Sequence, residues 1–286
     1  MDVELILVPY DSGQRRARMG AGPENLVQGD LPAELARAGH PVVATTMIDL
    51  PAGSRGEIGS AFSLMAELAG AVRSARAMRR FPLVLAGNCN TAVGTVAGLG
   101  GGEGTAVVWF DAHGDFNTPE STVTGFLDGM ALAMLTGRCW SQMTRGVPHF
   151  RPVAESAACL VGARDLDALE ADMLAGSAVR LIIPADVRSG LPTALASVRP
   201  HATRAYVHVD LDVLDPSEGS ANEFSVGGGL ALDELIQAIG AVGAAVSIEA
   251  AALTAYDPAI DQPGRVKTAV SDIARALIAA SIEGRS

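Results

Sequence analysis

Residues 107–115 read Val-Val-Trp-Phe-Asp-Ala-His-Gly-Asp, four apolar residues followed by a segment with three metal-binding side chains. The apolar run is typical of a strand buried on both faces of a parallel sheet. Asp111, His113 and Asp115 alternate, so they point to the same side wherever the backbone stays extended. Two carboxylates and one imidazole suit a divalent cation such as Mn2+. The stretch therefore predicts a metal site at the end of a strand.

A second stretch of the same kind occurs later in the chain. Residues 205–216 read Ala-Tyr-Val-His-Val-Asp-Leu-Asp-Val-Leu-Asp-Pro, again an apolar strand ending in alternating carboxylates, Asp210 and Asp212. Ligands of open α/β sheets bind at the carboxyl edge of the strands, so we expect the two stretches to converge on one site. Asp215, just before Pro216, is expected to be a structural residue rather than a metal ligand.

Strand-like and helix-like segments alternate along the whole chain. Strands are predicted at residues 3–8, 42–47, 82–86, 107–110, 158–161, 181–183, 205–210 and 244–248. Helices are predicted at residues 24–38 (interrupted by Pro32), 61–80, from 91 onward, 128–135, 232–242 and 270–277. This alternation predicts a mostly parallel sheet with helices on both faces, a three-layer α/β/α fold, in a single domain over residues 1–286.

The composition limits the classes of function. Hydrophobic residues make up 49% and charged residues 19% of the chain, which indicates a globular protein. A net charge of −11 argues against nucleic acid or an anionic membrane as a partner. The three cysteines form no disulfide framework and fit a reducing compartment. With no signal-peptide pattern and no apolar run long enough to span a bilayer, we expect a cytoplasmic protein.

A loop rich in arginine follows the first predicted strand. Arg15, Arg16 and Arg18 lie between Gly13 and Pro23. The loop is either simply solvated, or it forms the rim of a site or a contact with another subunit. The sequence favours neither.

The stretches at residues 111–115 and 210–216 resemble the arginase/agmatinase, or ureohydrolase, family, and the resemblance extends from the residue 13–23 loop to Asp257 and Pro258. It implies an arginase/deacetylase-like fold, two Mn2+ ions bridged by hydroxide, and a homo-oligomer, a trimer or hexamer. The metal ligands that it implies are Asp111 and Asp210 bridging both ions, Asp115 at the first, and His113 and Asp212 at the second.

Three positions depart from the family pattern at the end of the site where the guanidino group of the substrate would react. The usual Gly-Gly-Asp-His-Ser appears as Ala-Gly-Asn-Cys-Asn at residues 86–90, so Cys89 stands where a metal-binding histidine is expected. A soft thiolate suits Mn2+ poorly, so the ion near Cys89 should bind more weakly; alternatively, Cys89 is only a small buried residue. Asp128 replaces a loop histidine and is either catalytic or a helix cap. Ala255 replaces the late glutamate that accepts a guanidinium hydrogen bond.

The end of the site that would hold the amino-acid part of the substrate matches the family pattern more closely. By the same resemblance, Asn117, Thr122 and Thr124 match the residues that bind an α-carboxylate. Asp167 and Glu170 match the acids that bind the α-ammonium group. Their alternative role is the first turn of a helix, where acidic residues are favoured in any case. An agmatine-type substrate has no carboxylate, so this loop favours an amino acid.

These features together predict a Mn2+-dependent amidinohydrolase, with Asp115 and Asp128 as its catalytic residues. The Cys in the metal site and the loop around it are similar to the branch that hydrolyses Nω-hydroxy-L-arginine. The expected substrate is therefore that compound or a related guanidino or amidino acid, and the product a urea or substituted urea. Alternatives are arginase or formimidoylglutamase activity, or a metal-poor member that binds an amino acid or a partner subunit without catalysis.

Overall fold

An eight-stranded parallel sheet forms the centre of the protein. The computed structural model describes residues 1–53 and 56–284 and contains the strands β1 (Val3–Val8), β2 (Tyr10–Asp11), β3 (Gln14–Arg15), β4 (Val42–Met47), β5 (Phe81–Ala86), β6 (Thr105–Phe110), β7 (Ala158–Val161), β8 (Arg180–Ile182), β9 (Arg204–Asp210) and β10 (Ile248–Thr254). The order in the sheet is β4-β1-β5-β10-β9-β6-β7-β8, with all pairs parallel. Strands β2 and β3 form a separate antiparallel hairpin. The predicted parallel sheet is confirmed.

Helices cover both faces of the sheet, as predicted. They are α1 (Gly22–Gln28), α2 (Leu31–Arg37), α3 (Gly56–Ala77), α4 (Ala92–Gly98), α5 (Ala131–Thr136), α6 (Ser141–Thr144), α7 (Ala168–Ala175), α8 (Val187–Val198), α9 (Leu232–Ala245) and α10 (Arg265–Glu283). One packed group contains α3 and α4, and another contains α2, α8, α9 and α10. Within the described ranges, no helix is long and apolar enough to cross a membrane.

Burial explains why β1, β5 and β6 are almost entirely apolar in sequence, with Glu4 of β1 and Thr105 of β6 as polar exceptions. Strands β1, β5 and β6 are buried at every residue, because neighbouring strands lie on both sides and helices cover the sheet. Strand β4 lies at the edge of the sheet and alternates between half-buried and exposed residues. The register places Val108 beside Val207 and Leu5 beside Leu83.

Two of the predicted elements differ clearly from the structure. The predicted helix at residues 24–38 is divided into α1 and α2, with Pro32 in the first turn of α2, where its missing N–H costs nothing. The strand predicted at residues 244–248 is wrong. Helix α9 continues through Ala245 because alanine strongly favours a helix, and β10 begins only at Ile248.

The carboxyl ends of β5, β10, β9 and β6 lie side by side at one edge of the sheet. Cys89 follows β5, Asp111 follows β6, and Asp210 ends β9. The turn after β5 passes very close to β2: a Cβ on Gly87 would lie 2.3 Å from the Tyr10 carbonyl oxygen. Only glycine fits there, so Gly87 allows the segment with Cys89 to reach this edge.

Arg164 fastens the long loop that follows Asp210. Its guanidinium donates to the backbone carbonyl oxygens of Asp212 at 2.9 Å and Val226 at 2.8 Å. It also donates to Gly162 at 3.1 Å, just after β7. Arg164 therefore fixes the two ends of the loop against a neighbouring strand.

Asp215 closes the same loop. Its Oδ1 accepts from the Ser217 backbone N–H at 2.9 Å, and its Oδ2 accepts from Gly228 and Gly229 at 2.8 and 3.1 Å. Hydrogen bonds from Ser217 and the two glycines lower the pKa of the Asp215 carboxyl to about 2. The structural role predicted for Asp215 is confirmed.

We predict that Arg164→Ala lowers the free energy of unfolding by about 3 kcal/mol or more, since several carbonyl oxygens lose a charged donor together. Urea unfolding measures the loss. The control is Arg188→Ala, because Arg188 is exposed and pairs with Glu234 at 3.4 Å; it should change stability by less than about 1 kcal/mol. Equal losses in the two variants would contradict the anchoring role.

Candidate metal and substrate site

A cleft of about 240 Å³ opens at the carboxyl edge of the sheet. Asp111 is a predicted site residue that does not line it, and the Asp111 side chain is almost fully buried. The predicted residues that do line the cleft are Cys89, His113, Asp115, Asn117, Thr122, Thr124, Asp128, Asp167, Glu170, Asp210 and Asp212. The structure thus brings together residues from widely separated parts of the chain.

Two groups of potential metal ligands share one carboxylate. Cys89, Asp111 and Asp210 form one group, and in each group the donor atoms lie within 4.8 Å of one another. The second group consists of Asp111, His113 and Asp212. Two adjacent cation positions that share Asp111 are therefore compatible with these side chains.

Hydrogen bonds hold the carboxylates in place. Trp109 Nε1 donates to Asp111 Oδ2 at 3.0 Å, and the His113 backbone N–H donates to Asp111 Oδ1 at 2.8 Å. The Asp212 backbone N–H donates to Asp210 Oδ1 at 2.9 Å. Asn222 Nδ2 donates to Asp212 Oδ2 at 3.2 Å. The carboxylates are thus oriented by their surroundings.

Asp115 has the arrangement expected of a carboxylate that faces a cation. Its backbone is left-handed, with φ +48°, and its side chain is buried. Among residues 1–53 and 56–284, Asp115 Oδ2 finds no hydrogen-bond partner. Burial, followed by the charge of Asp111, raises the pKa of the Asp115 carboxyl well above its usual value. A cation would satisfy this oxygen, so the residues present fit a metal ion.

The close packing of several acidic side chains also indicates a site for a cation. Burial and the neighbouring Asp212 raise the pKa of Asp210 well above its usual value, and burial and Asp111 raise that of Asp212. Although burial opposes its charged form, Asp111 and Asp212 raise the pKa of His113 to about 9. Buried carboxylates at such short range need compensating positive charge.

Cys89 contacts the acids rather than packing as an isolated apolar residue. Its Sγ lies 3.0 Å from Asp210 Oδ2 and 3.2 Å from Thr254 Oγ1. Burial, then the charge of Asp210, raises the pKa of its thiol well above the usual value. The sulfur faces the cleft, in a position where it can bind a cation.

The interpretation of Asp128 as a helix cap is wrong. The 3-10 helix Asp128–Met130 and α5 that follows have no side-chain cap. Instead, Asp128 Oδ2 accepts from Asn88 Nδ2 at 2.9 Å, and Oδ1 accepts from the Asn90 backbone N–H at 2.8 Å. Burial raises the pKa of the Asp128 carboxyl to about 7, although these hydrogen bonds oppose the shift. Asp128 is held by residues distant in sequence, Asn88 and Asn90, and does not cap the helix that follows it.

The arginine loop is tied down by ion pairs at the edge of the site. Arg18 contacts Asp11 with two hydrogen bonds of 2.8 and 3.0 Å, and Arg16 pairs with Glu24 at 2.6 Å. The next residue, Met19, lines the cleft. The interpretation as a rim of the site therefore fits better than that of a simply solvated loop.

The predicted amino-acid-binding residues lie together in the cleft. Thr122 Oγ1 and Thr124 Oγ1 each accept a backbone N–H, at 3.0 and 3.2 Å, so their hydroxyl hydrogens are left to donate to an anion. Asn117 Nδ2 donates to Asp167 Oδ2 at 3.0 Å. This hydrogen bond joins Asn117, a proposed ligand of the α-carboxylate, to Asp167, a proposed ligand of the α-ammonium group.

The alternative role of Asp167 and Glu170 is also real. Asp167 is the N-cap of α7, and Glu170 Oε2 accepts from its backbone N–H at 3.3 Å. Glu170 Oε1 accepts from the Phe116 backbone N–H at 2.8 Å. A Cβ on Gly114 would lie 2.5 Å from the Glu170 carboxyl, so Gly114 makes room for it. Both acids serve the helix and line the cleft.

Six further residues line the cleft without having been predicted as site residues: Met19, Phe126, Gly129, Asp165, Asn222 and Phe224. The rings of Phe126 and Phe224 are stacked with centroids 5.7 Å apart, and Phe224 lies edge-on to His113 at 6.5 Å. Asn222 joins Asp212 to the Ala255 carbonyl oxygen, to which its Nδ2 donates at 2.9 Å. No local motif marks Asn222 or Phe224, which lie in the loop after Asp210.

Comparison with known proteins agrees with this geometry. The profile of the Arginase family matches residues 1–280. The arginase of Bacillus caldovelox is 29% identical over 284 residues, covering 93% of this chain and 94% of that relative. The crystal structure of arginase from Bacillus cereus has a TM-score of 0.86 at 25% identity, over 97% of this chain and 98% of that one.

A more distant structure shares the fold alone. Formimidoylglutamase from Bacillus subtilis has a TM-score of 0.77 at 18% identity, over 99% of this chain and 87% of that one. The family profile itself covers the chain from its first residue to residue 280, including both aspartate-rich strand ends and the cleft between them. The chain belongs to the Arginase family.

Proposed function

We propose that this protein is a metal-dependent hydrolase that cleaves a C–N bond in the guanidino or amidino group of an amino-acid-like substrate. The observation that carries the proposal is the pair of ligand groups that share Asp111 beside the cleft. The arginases among its relatives support the same reaction class.

The donor set favours Mn2+. Carboxylate oxygens and an imidazole dominate both ligand groups, and such ligands suit Mn2+. The ion at Cys89 is proposed to bind more weakly, because a thiolate is a poor match for this metal. When bound, two such cations lower the pKa of a shared water and stabilise charge that develops on the reacting group.

Asp115 and Asp128 are the proposed catalytic residues. The orphan Oδ2 of Asp115 is available both to a cation and to a water held there. Asp128 faces the cleft with its carboxyl held by Asn88 and Asn90, so it meets the substrate in a fixed orientation. It either accepts a hydrogen bond from a substituent on the terminal nitrogen or donates a proton to the departing amine.

A modified arginine is our preferred substrate, with Nω-hydroxy-L-arginine as the best candidate. The position that would hold an acidic partner for a cationic guanidinium is occupied by Ala255, which is buried beside the cleft. An N-hydroxyguanidine is far less basic than a guanidine and can bind as a neutral group, so it needs no such partner. Asp128 would then face the hydroxyl.

Ordinary arginase activity is the second candidate, favoured by the arginases among the relatives. The formimidoylglutamase alternative has only the shared fold in its favour. Against a non-catalytic family member stands the orphan oxygen of Asp115, since carboxylates crowded in this way are costly to keep without a cation. The homo-oligomer, trimer or hexamer, stays a prediction.

Metal titration of the metal-free protein is expected to show two classes of Mn2+ site with unequal affinity. Mn2+ at a hundredfold excess over the dissociation constant should stabilise the fold by about 2.7 kcal/mol per site, measured by thermal unfolding. Cys89→His should tighten the weaker class, because nitrogen replaces sulfur. Cys139→Ala is the control, since Cys139 does not line the cleft. Two equally tight sites in the wild type would end this part of the proposal.

Removing the charge of Asp167 should weaken binding of an amino-acid substrate at least tenfold, since a hydrogen bond to a charged group contributes about 1.5–3 kcal/mol. Asp167→Asn keeps the helix cap and is therefore the cleaner variant. Asp172→Ala, on the exposed side of the same helix, is the matched control. Steady-state kinetics with the amino acid and with agmatine decide the point, and equal turnover of agmatine would refute the clamp.

The ratio of kcat/KM for Nω-hydroxy-L-arginine over L-arginine should exceed about ten in the wild type, corresponding to about 1.4 kcal/mol. Ala255→Glu should lower the ratio by giving the cationic guanidinium a partner, and Asp128→His should lower it by restoring a proton donor. Ala255 already has a Cβ at φ +61°, so a larger side chain adds little backbone strain. A wild type that prefers L-arginine would favour the arginase alternative.

A further inference from the structure

A chain of hydrogen bonds runs from the interior of the sheet to Cys89. Tyr206 Oη lies 2.7 Å from His208 Nδ1, and His208 Nε2 lies 3.1 Å from Thr254 Oγ1. Thr254 Oγ1 in turn lies 3.2 Å from Cys89 Sγ. The four side chains are at most 2% exposed. Tyr206, His208 and Thr254 do not line the cleft, so contact with a substrate does not explain them.

Thr254 stands at the junction of these contacts. Its hydroxyl has one hydrogen, and both Cys89 Sγ and the Val209 carbonyl oxygen, which lies 3.3 Å away, can accept it. His208 can donate from Nε2 to Thr254 Oγ1 while its Nδ1 accepts from Tyr206. In that arrangement the Thr254 hydrogen is left for one of its two acceptors.

Cys89 can only accept from Thr254. Its thiol hydrogen is donated to Asp210 Oδ2 at 3.0 Å, and a thiolate bound to a cation would have no hydrogen to donate. A thiolate would also attract the Thr254 hydrogen more strongly than the neutral Val209 carbonyl oxygen does, because hydrogen bonds to charged acceptors are stronger. The Thr254 hydroxyl is therefore placed to donate to the sulfur when a cation is held there.

Rigid elements carry these groups. Trp109 stacks on His208 with ring centroids 3.6 Å apart and an interplanar angle of 10°. His208 lies within β9, and Thr254 ends β10 directly beside Asp210. Since strands rather than loops position the donors, the hydroxyl of Thr254 is held at a fixed place relative to the sulfur.

We propose that Thr254 and His208 are positioning residues that hold Cys89 Sγ as a metal ligand. The inference rests on the proposed function, because it needs a cation beside Cys89. The Thr254 hydroxyl directs a donor at the sulfur, which stabilises the thiolate and restricts its orientation. Loss of such groups around a metal ligand lowers affinity by about 10- to 100-fold.

Titration of the full chain with Co2+ tests this role without any measurement of activity. Thiolate-to-cobalt charge-transfer absorption reports the bond to Cys89, and the wild type should show it. Cys89→Ser should lose the band and keep the other ion. Thr254→Val, which preserves shape without a hydroxyl, should weaken the ion at Cys89 by about 10- to 100-fold and shift the band. His208→Leu should act in the same way, and neither variant should change the other ion's affinity.

Conservative variants separate positioning from general damage. Thr254→Ser restores the hydroxyl, and His208→Gln provides an amide that can accept from Tyr206 and donate to Thr254, so both should recover most of the affinity. Thermal unfolding of the metal-free variants reports their stability. If Thr254→Val or His208→Leu does not fold, Tyr206→Phe tests the chain from its far end, with a smaller weakening expected at the same ion.

An unchanged band and affinity in Thr254→Val and His208→Leu would overturn the positioning role and leave the proposed function intact. A wild type without the band that still hydrolyses a guanidino substrate would remove Cys89 as a ligand and overturn this inference alone. A wild type that neither binds divalent cations nor hydrolyses such substrates would overturn both.

Discussion

The burial of several carboxyl groups at the ends of neighbouring parallel strands is the constraint on which the rest of the site depends. Burial and the neighbouring carboxylates raise the pKa of Asp210 and of Asp212, so every nearby donor matters. Trp109 and backbone N–H groups orient them, and Asn222 binds the third. The all-parallel sheet places the carboxyl ends of these strands next to one another, and the helices on both sides fix them there. The fold can therefore hold the carboxylates close together.

The two ends of the cleft are built differently. The acid-rich end stands on strand ends, where the sheet fixes the side chains. The other end uses a loop, with Thr122 and Thr124 exposed or half-buried and held by hydrogen bonds from within the loop itself. Loops tolerate change more readily than strands of a central sheet. The choice of substrate can therefore change within this fold while the cation-binding end is kept.

Much of the fold and site could be predicted from sequence because local patterns carried the information. The strand at residues 107–110 and the alternating acids after it are visible in the sequence, and the structure places them as expected. The prediction of a strand at residues 244–248 was wrong because alanine-rich segments also favour a helix. Asp128 resembled a cap, whereas its partner Asn88 is 40 residues away. Phe224 enters the cleft through a long loop, which no period in the sequence reveals.

The Asn88 amide has an evolutionary consequence. Its Nδ2 lies 2.9 Å from Asp128 Oδ2 and 3.4 Å from Asp11 Oδ1, while its Oδ1 accepts from the Ser12 backbone N–H at 3.0 Å. An aspartate at position 88 would place a third carboxylate between Asp11 and Asp128 and would remove the amide donor that contacts both. We therefore expect the two positions to be coupled in evolution: an acid at position 88 fits this site only when the residue at position 128 is no longer a carboxylate, so the two should change together.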